Sequence, residues 1–304
     1  MTPQEFNYLR LVLQERSGLS LSEDRRELLE ARLGPLLKTF DFPSVSALVL
    51  ALMRPEAEYL RLRVAQAVSV QESYFFRDKV PFQYFSEVML PKLMEARAGT
   101  RQIRFWCAAA AMGQEPYSLA MQLADRAKQL SGWTVDILAT DFAEDALRKA
   151  RKGLYSQFEV QRGLPVSLLV RYFRKVGSGW EITPDIRAMV RFRADNLVLD
   201  SQEPGGFDVI FCRNVLIYFD EDTKRRVLAK LASKLAGDGY LVLGAAETTT
   251  GLTQDFVAVP EARHGVFVMT REAQEAKAAR KGQAAEDGKF LAGAMPDAAR
   301  AYGP

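Results

Sequence analysis

The chemistry in this chain is concentrated where apolar strands are expected to end. The stretch Phe105–Ser118 (FWCAAAAMGQEPYS) runs from an apolar strand through small residues and one glycine, Gly113, into a helix that begins near Glu115. Small side chains at such a turn let a ligand approach the backbone. With a single glycine the stretch lacks the G-x-G-x-x-G spacing that cradles a pyrophosphate, which counts against NAD and FAD. A carboxylate at the mouth of the turn repels phosphate and attracts ammonium. The implied ligand is nucleoside-like, cationic and free of phosphate, a description that S-adenosylmethionine meets. A tight strand–helix turn with a solvated Glu115 satisfies the same pattern, and pattern alone leaves both readings open.

Three further sets point to the same edge. Asp141 ends the next strand, where an acid bonds ribose hydroxyls in doubly wound sheets; it could equally cap the following helix. Ser69–Asp78 (SVQESYFFRD) sets two phenylalanines beside an arginine. Its plainer reading is that Phe75 and Phe76 dock a helical cap on the main domain, with Arg77 in a salt bridge. Cys212–Asp220 (CRNVLIYFD) delivers Arg213, Asn214 and Tyr218 beyond a strand. There the plainer reading has Arg213 and Asn214 satisfying strand-end backbone and Tyr218 in the core. One such motif says little. Four converging on the carboxyl ends of strands describe a ligand crevice.

The elements that must position these residues fall into two halves. Up to about residue 70 the chain reads as helices. Thr2-Pro3-Gln4-Glu5 is a capping box with proline at the first helical position, Phe6, Leu9 and Leu13 follow at helical spacing, and Gly18 ends the helix. Ser20–Glu23 is a second box, opening a helix that Gly34-Pro35 should bend or interrupt. Ser44–Met53 and a segment from Pro55 to about Val68 complete a small bundle. From about residue 100, strands (Arg101–Ala109, Thr134–Asp141, Phe207–Asn214, Tyr240–Ala245) alternate with helices (Glu115–Leu130, Glu144–Arg151, Asp220–Leu235). This predicts an α/β doubly wound, mainly parallel sheet, and Phe256–Thr270 adds two strands around a turn near Arg263–Gly265. Val170–Val176 and Gly179–Thr183 read as an inserted antiparallel hairpin, about residues 170–190. The expected organisation is a helical domain over 1–70, a ligand-binding α/β domain over 71–271, and a disordered Ala/Gly/Lys/Glu tail over 272–304.

Composition narrows the function further. A net charge of +3 is too small to argue for nucleic acid. Cys107 and Cys212 lie inside apolar runs and read as buried free thiols, consistent with a reducing cytoplasm. With those two cysteines and one histidine, His264, no zinc site is expected. Apolar runs such as Ala47–Met53 are too short to span a bilayer, so no direct membrane insertion is expected.

Taken together, QESYFFRD, AAMGQEPYSLAM, ATDFAEDALRKARKGLY, DNL at 195–197, FDVIFCRNVLIYFD and LGAAET at 243–248 resemble the CheR-type chemotaxis receptor glutamate methyltransferases, from about Thr2 to Thr270. The resemblance implies a helical N-terminal domain, a class I methyltransferase domain and a small inserted antiparallel β-subdomain. It implies S-adenosylmethionine as cofactor and S-adenosylhomocysteine as product. It assigns Glu115 to the methionine amino group, Asp141 to the ribose, and Asn196 and Leu197 to the adenine. Ser73 and Arg77 fall toward the methionine end and the active centre, Ala109 and Gly113 in the turn that offers backbone contacts, and Asn214 and Tyr218 around the transferred methyl, with Gln71 and Val215 as further cofactor-binding residues. Arg77, Asn214 and Tyr218 are the expected catalytic residues, with no metal. The chain departs from the family at Gln71 (commonly Asn), at Ser73 (commonly Thr), at the turn Ala111-Met112-Gly113-Gln114-Glu115 (often S-T-G-E-E), and at Ala245-Ala246 (a His–Ser pair).

An in-line displacement by a substrate carboxylate needs no base, because a glutamate with a pKa of about 4.3 is already ionised. Arg77 is expected to orient rather than to grip the attacking oxygen, since a tight ion pair would blunt the nucleophile. The expected partner is the cytoplasmic helical bundle of a methyl-accepting chemotaxis receptor. Two docking devices remain open: a basic face over 25–38 (Arg25, Arg26, Arg32, Lys38), which Glu27 and Glu30 interrupt, and strand addition at the inserted hairpin. A class I methyltransferase acting on RNA or a small molecule, and a non-catalytic cofactor-binding scaffold, are the competing readings.

Overall fold

The structure is a computed structural model that describes residues 1–199, 205–262 and 265–279. Four helices come first: α1 (Pro3–Ser17), α2 (Arg26–Thr39), α3 (Val45–Leu52) and α4 (Glu58–Val68). The Thr2 capping box is formed, and Gly18 closes α1 in the left-handed conformation at φ 71°. Leu9, Leu13, Leu33, Leu48, Leu52 and Val64 are each fully enclosed in a core of their own; each contributes about 1.5–3 kcal/mol by leaving water. Contrary to expectation, Gly34-Pro35 does not interrupt α2, which runs through Pro35 to Thr39. The second box is not made either: Ser22 takes the cap position without a side-chain bond.

Two further helices, α5 (Val80–Tyr84) and α6 (Leu90–Ala96), pack into the core of the α/β domain and lead to its first strand. Its elements are β1 (Gln102–Ala108), α7 (Gln114–Ala124), β2 (Thr134–Asp141), α8 (Glu144–Lys152), β3 (Leu154–Ser156), α9 (Gln157–Gln161), α10 (Val166–Tyr172), β4 (Phe173–Val176), β5 (Gly179–Ile182), α11 (Pro184–Ala188), β6 (Val190–Ala194), β7 (Phe207–Cys212), α12 (Glu221–Lys234), β8 (Leu235–Leu243), β9 (Phe256–Ala258) and β10 (Val266–Met269). The main sheet has seven strands in the order β6-β2-β1-β7-β8-β10-β9. Its first five strands are parallel and β10 is antiparallel to both neighbours. β7 is buried at every position, as a strand covered on both faces must be. The chain turns from the β1–β2 side to the β7 side at β1, which places a crevice beyond the carboxyl ends of these strands.

The inserted sheet differs from the expectation. It has three strands in the order β3-β5-β4 and starts at Leu154, not near 170. Val170 lies in helix α10, one turn before the hairpin. A three-residue strand beside a glycine carries too little periodicity to be recognised. Phe75 and Phe76 also correct an expectation. They belong to the α/β core, where Phe75 packs edge-on against Tyr155 and Phe173 of the insertion and Phe76 against Phe82; they do not dock the helical layer. The expected disordered tail is helical over 271–279, and Lys277 Nζ donates to the Ala232 and Ser233 carbonyls at 2.7 Å each. Its remainder, and the turn residues 263 and 264, lie outside the described residues. Among the described residues no helix is long and apolar enough to cross a membrane.

Candidate active site

A crevice of about 900 Å³ opens at the carboxyl edge of the sheet. Its floor is built by the ends of four strands. β1 delivers a turn in which Ala109 and Ala111 take left-handed conformations, at φ 61° and 47°. Such backbone in non-glycine residues is strained, and the neighbours hold it in place. Ala110 N–H donates to the Thr140 carbonyl at 2.9 Å, Ala111 N–H to Asp141 Oδ2 at 2.9 Å, and the Tyr155 hydroxyl to the Met112 carbonyl at 2.8 Å.

Gly113 stands apart from this use. It is not on the crevice wall. At φ 90°, an added Cβ would lie 2.9 Å from Ala150 Cβ and 3.2 Å from the Tyr155 hydroxyl. It packs closely on α8 and β3, and among the turn residues Ala109 and Ala111 line the crevice.

Asp141 ends β2 and is enclosed. Besides Ala111, its Oδ1 accepts the Ala143 N–H at 2.9 Å. It therefore closes a turn onto the residue two positions on; the cap position of α8 belongs to Ala143. Burial pushes the carboxyl above its ordinary value, opposed by these backbone donors and by the Gln71 amide. A carboxylate has about four acceptor positions, so capacity remains for hydroxyl donors.

Glu115, in the first turn of α7, is buried rather than solvated. Its Oε2 accepts from Arg213 Nη1 at 3.1 Å. Burial again raises the carboxyl, and Arg213 is the chief opposing influence. Arg213 follows β7 and is itself enclosed; its Nη2 donates to Asp78 Oδ2 at 2.6 Å and to the Arg77 carbonyl at 2.9 Å. Asn214 takes the left-handed conformation at φ 58°, and its Oδ1 is buried without a protein partner. Gln71 Oε1 is in the same condition. Both residues line the crevice, and orphaned acceptors on a crevice wall are what a ligand with N–H or O–H groups satisfies.

A strap over 69–78 forms one wall. The Phe76 N–H donates to Ser118 Oγ at 3.0 Å, and Arg32 Nη1 binds the Val68 and Ser69 carbonyls at 3.1 and 2.9 Å. Ser73 and Arg77 stand on this strap at the crevice. Arg77 donates to the Glu72 carbonyl at 3.2 Å and lies over the Tyr74 ring at 5.5 Å, an arrangement different from the expected salt bridge. The opposite wall holds Asn196, Leu197, Val215 and Tyr218. Asn196 Nδ2 bonds the Arg16 carbonyl at 2.7 Å. Tyr218 is half-buried, and its carbonyl accepts the Ser20 N–H at 2.9 Å. Thus all the sequence-nominated residues except Gly113 share one crevice.

Sequence reasoning gave no role to Glu247, and placed Arg213 at the ligand edge, with a backbone partner as the plainer reading, without pairing it to Glu115 or Asp78. Glu247 lies just past β8, and its carboxylate takes the N–H groups of Gly244, Asn214, Val215 and Ile217. The available signal was a charge directly beside an apolar strand end, which burial obliges to find partners. Cys107 and Cys212 are buried free thiols, and burial pushes both well up.

The chain is similar to known proteins over most of its length. A family described as "CheR methyltransferase, SAM binding domain" matches residues 71–264, and one described as "CheR methyltransferase, all-alpha domain" matches residues 4–65. A chemotaxis protein methyltransferase of Vibrio parahaemolyticus is 36% identical over 262 residues, covering 85% of this chain and 94% of that protein. Chemotaxis protein methyltransferase 1 of Pseudomonas aeruginosa is 37% identical over 84% of this chain and 94% of its own length. A chemotaxis protein methyltransferase of Borreliella burgdorferi is 33% identical over 83% and 90%.

Proposed function

Because the chain belongs to the CheR methyltransferase family, we propose that it esterifies glutamate side chains of a chemotaxis receptor, using S-adenosylmethionine in the crevice bounded by Glu115 and Asp141. The observation that carries this reading is the pair of enclosed carboxylates facing one crevice, with no phosphate cradle between them. The orphaned Gln71 and Asn214 oxygens fit a ligand with hydroxyl and amino donors.

In this reading Glu115 receives the ammonium of the methionine part, Asp141 the ribose hydroxyls, and Asn196 and Leu197 border the adenine. When bound, S-adenosylmethionine supplies a methyl group on a sulfonium, and the product is S-adenosylhomocysteine. The protein's work is positioning. A substrate glutamate, with a pKa of about 4.3, enters ionised, so no residue has to remove a proton. Among the described residues, none that lines the crevice is a histidine. Arg77, held by the Glu72 carbonyl and the Tyr74 ring, orients the carboxylate from the strap side. Asn214 and Tyr218 bound the reacting centre from the β7 side. Holding reacting atoms about 3–3.5 Å apart accounts for much of the acceleration such a site supplies. The receptor's helical bundle lies in the cytoplasm, and the reading puts the enzyme there.

The test is transfer of a tritiated methyl group to membranes containing receptors, followed by mild base. Release of volatile methanol is the expected result. A base-stable product, or label in RNA, overturns it.

A further inference from the structure

One enclosed guanidinium joins two parts of the crevice that the chain delivers from different elements. Arg213 is 6% exposed. Its Nη1 reaches Glu115 Oε2 in α7 at 3.1 Å, and its Nη2 reaches Asp78 Oδ2 at 2.6 Å and the Arg77 carbonyl at 2.9 Å on the strap. The Phe82 ring lies 5.7 Å from its central carbon. We propose that Arg213 is a positioning residue that fixes the Glu115 carboxylate and the Arg77 strap relative to each other, so that one buried fork aligns the ammonium-binding carboxylate with the orienting arginine. The proposal rests on the reading that Glu115 receives the cofactor's amino group.

Geometry makes the guanidinium irreplaceable by a point charge. The contacts to Glu115 and to the strap leave from different nitrogens of a planar fork, and a lysine ammonium cannot reproduce both directions at once. Electrostatics adds a consequence. Glu115 faces Arg213 and Cys212 at the end of β7, Arg77 on the strap, Glu247 beyond β8, and Cys107 in β1, while Asp78 reaches it only through Arg213. Burial and Glu247 oppose its charge, and the thiols are neutral. Arg213 is the chief influence favouring the charge, with Arg77 next. Without Arg213 the carboxyl titrates at a higher pH, and a protonated Glu115 no longer attracts an ammonium.

The experiment measures binding of S-adenosylhomocysteine to the full chain at about pH 6, 7 and 8, a range below which ordinary carboxylates titrate, together with methyl-transfer turnover. Wild type and Asp78→Asn are expected to bind independently of pH, with turnover lowered in Asp78→Asn because the strap loses a tether. Arg213→Gln is expected to lose affinity toward pH 6 relative to wild type, by at most about tenfold per pH unit. Equal weakening at every pH, or none, overturns the proposal. Should Arg213→Gln fail to melt cooperatively, wild type and Arg213→Lys decide. A wild-type affinity that already climbs through pH 7 overturns the proposal, as does full turnover in Arg213→Lys. Absence of binding to wild type at any pH brings down the cofactor reading itself, a result distinct from a pH-independent loss in the variant.

Discussion

The Glu247 carboxylate accepts the backbone N–H of Asn214 at 2.8 Å, and the same oxygen accepts the Gly244 N–H at 2.6 Å. Its second oxygen takes the Val215 N–H at 2.9 Å and the Ile217 N–H at 3.3 Å. One side chain thus shapes the whole turn that carries Asn214, at its left-handed φ of 58°, and leads into Tyr218. Glu247→Gln keeps the shape but turns an NH₂ group toward backbone donors. It is expected to cost about 1–3 kcal/mol of stability and roughly 10²-fold in turnover through misplacement of the centre. Chemical denaturation and steady-state kinetics check the two halves.

Arg77→Ala removes a half-exposed side chain whose contacts are one carbonyl and one ring. Stability should stay within about 0.5 kcal/mol. Methyl transfer should fall by roughly 10²-fold or more. Near-normal turnover in a folded variant would refute the orienting role.

Asp141 offers a test with a defined sign. Burial raises its carboxyl above the ordinary 3.8, so on acidification the folded protein binds a proton there before the unfolded chain does. The contribution of this group to stability is therefore greatest below 3.8 and declines as pH rises through the window above it. Relative to Asp141→Asn, wild type should lose ground as pH rises through that window, seen as a falling wild-type-minus-variant difference in melting midpoint. At neutral pH the variant should bind S-adenosylhomocysteine about tenfold or more weakly, because a charge-assisted acceptor is lost.

Gly113→Ala tests whether this glycine serves packing. The left-handed backbone and the 2.9 Å approach to Ala150 Cβ predict a destabilisation of about 1–3 kcal/mol from strain, before any overpacking is added. Denaturant unfolding would read it. An unchanged midpoint would return Gly113 to the list of ligand-facing positions.

The sequence made the layered α/β architecture legible because the parallel strands are continuous apolar runs and the intervening helices keep a 3.6-residue period. Glu115, Asp141 and Tyr218 were legible because strand order brings strand ends together; Asn196 was legible only through the family resemblance. What stayed hidden was settled by contacts between distant segments. Pro35 sits inside α2 because packing against α4 and the rest of the helical core overrides its cost. β3 is too short to signal itself. Arg213 read as an ordinary strand-end polar residue until Asp78 and Glu115 came within its reach. The pairing of Phe75 with Tyr155 and Phe173 depends on an insertion eighty and more positions away in the chain.

Ser17 and Leu19 come from the helical layer yet stand in the wall of the crevice. Leu19 bridges to Phe219, Gln66 Nε2 holds the Phe142 carbonyl at 2.6 Å, and Arg16 receives Asn196. A chimera that borrows these helices from a distant relative would inherit a foreign rim around the nucleoside. An exchange of the helical layer would thus carry part of the crevice lining with it, and affinity for the methyl donor is expected to change in the hybrid.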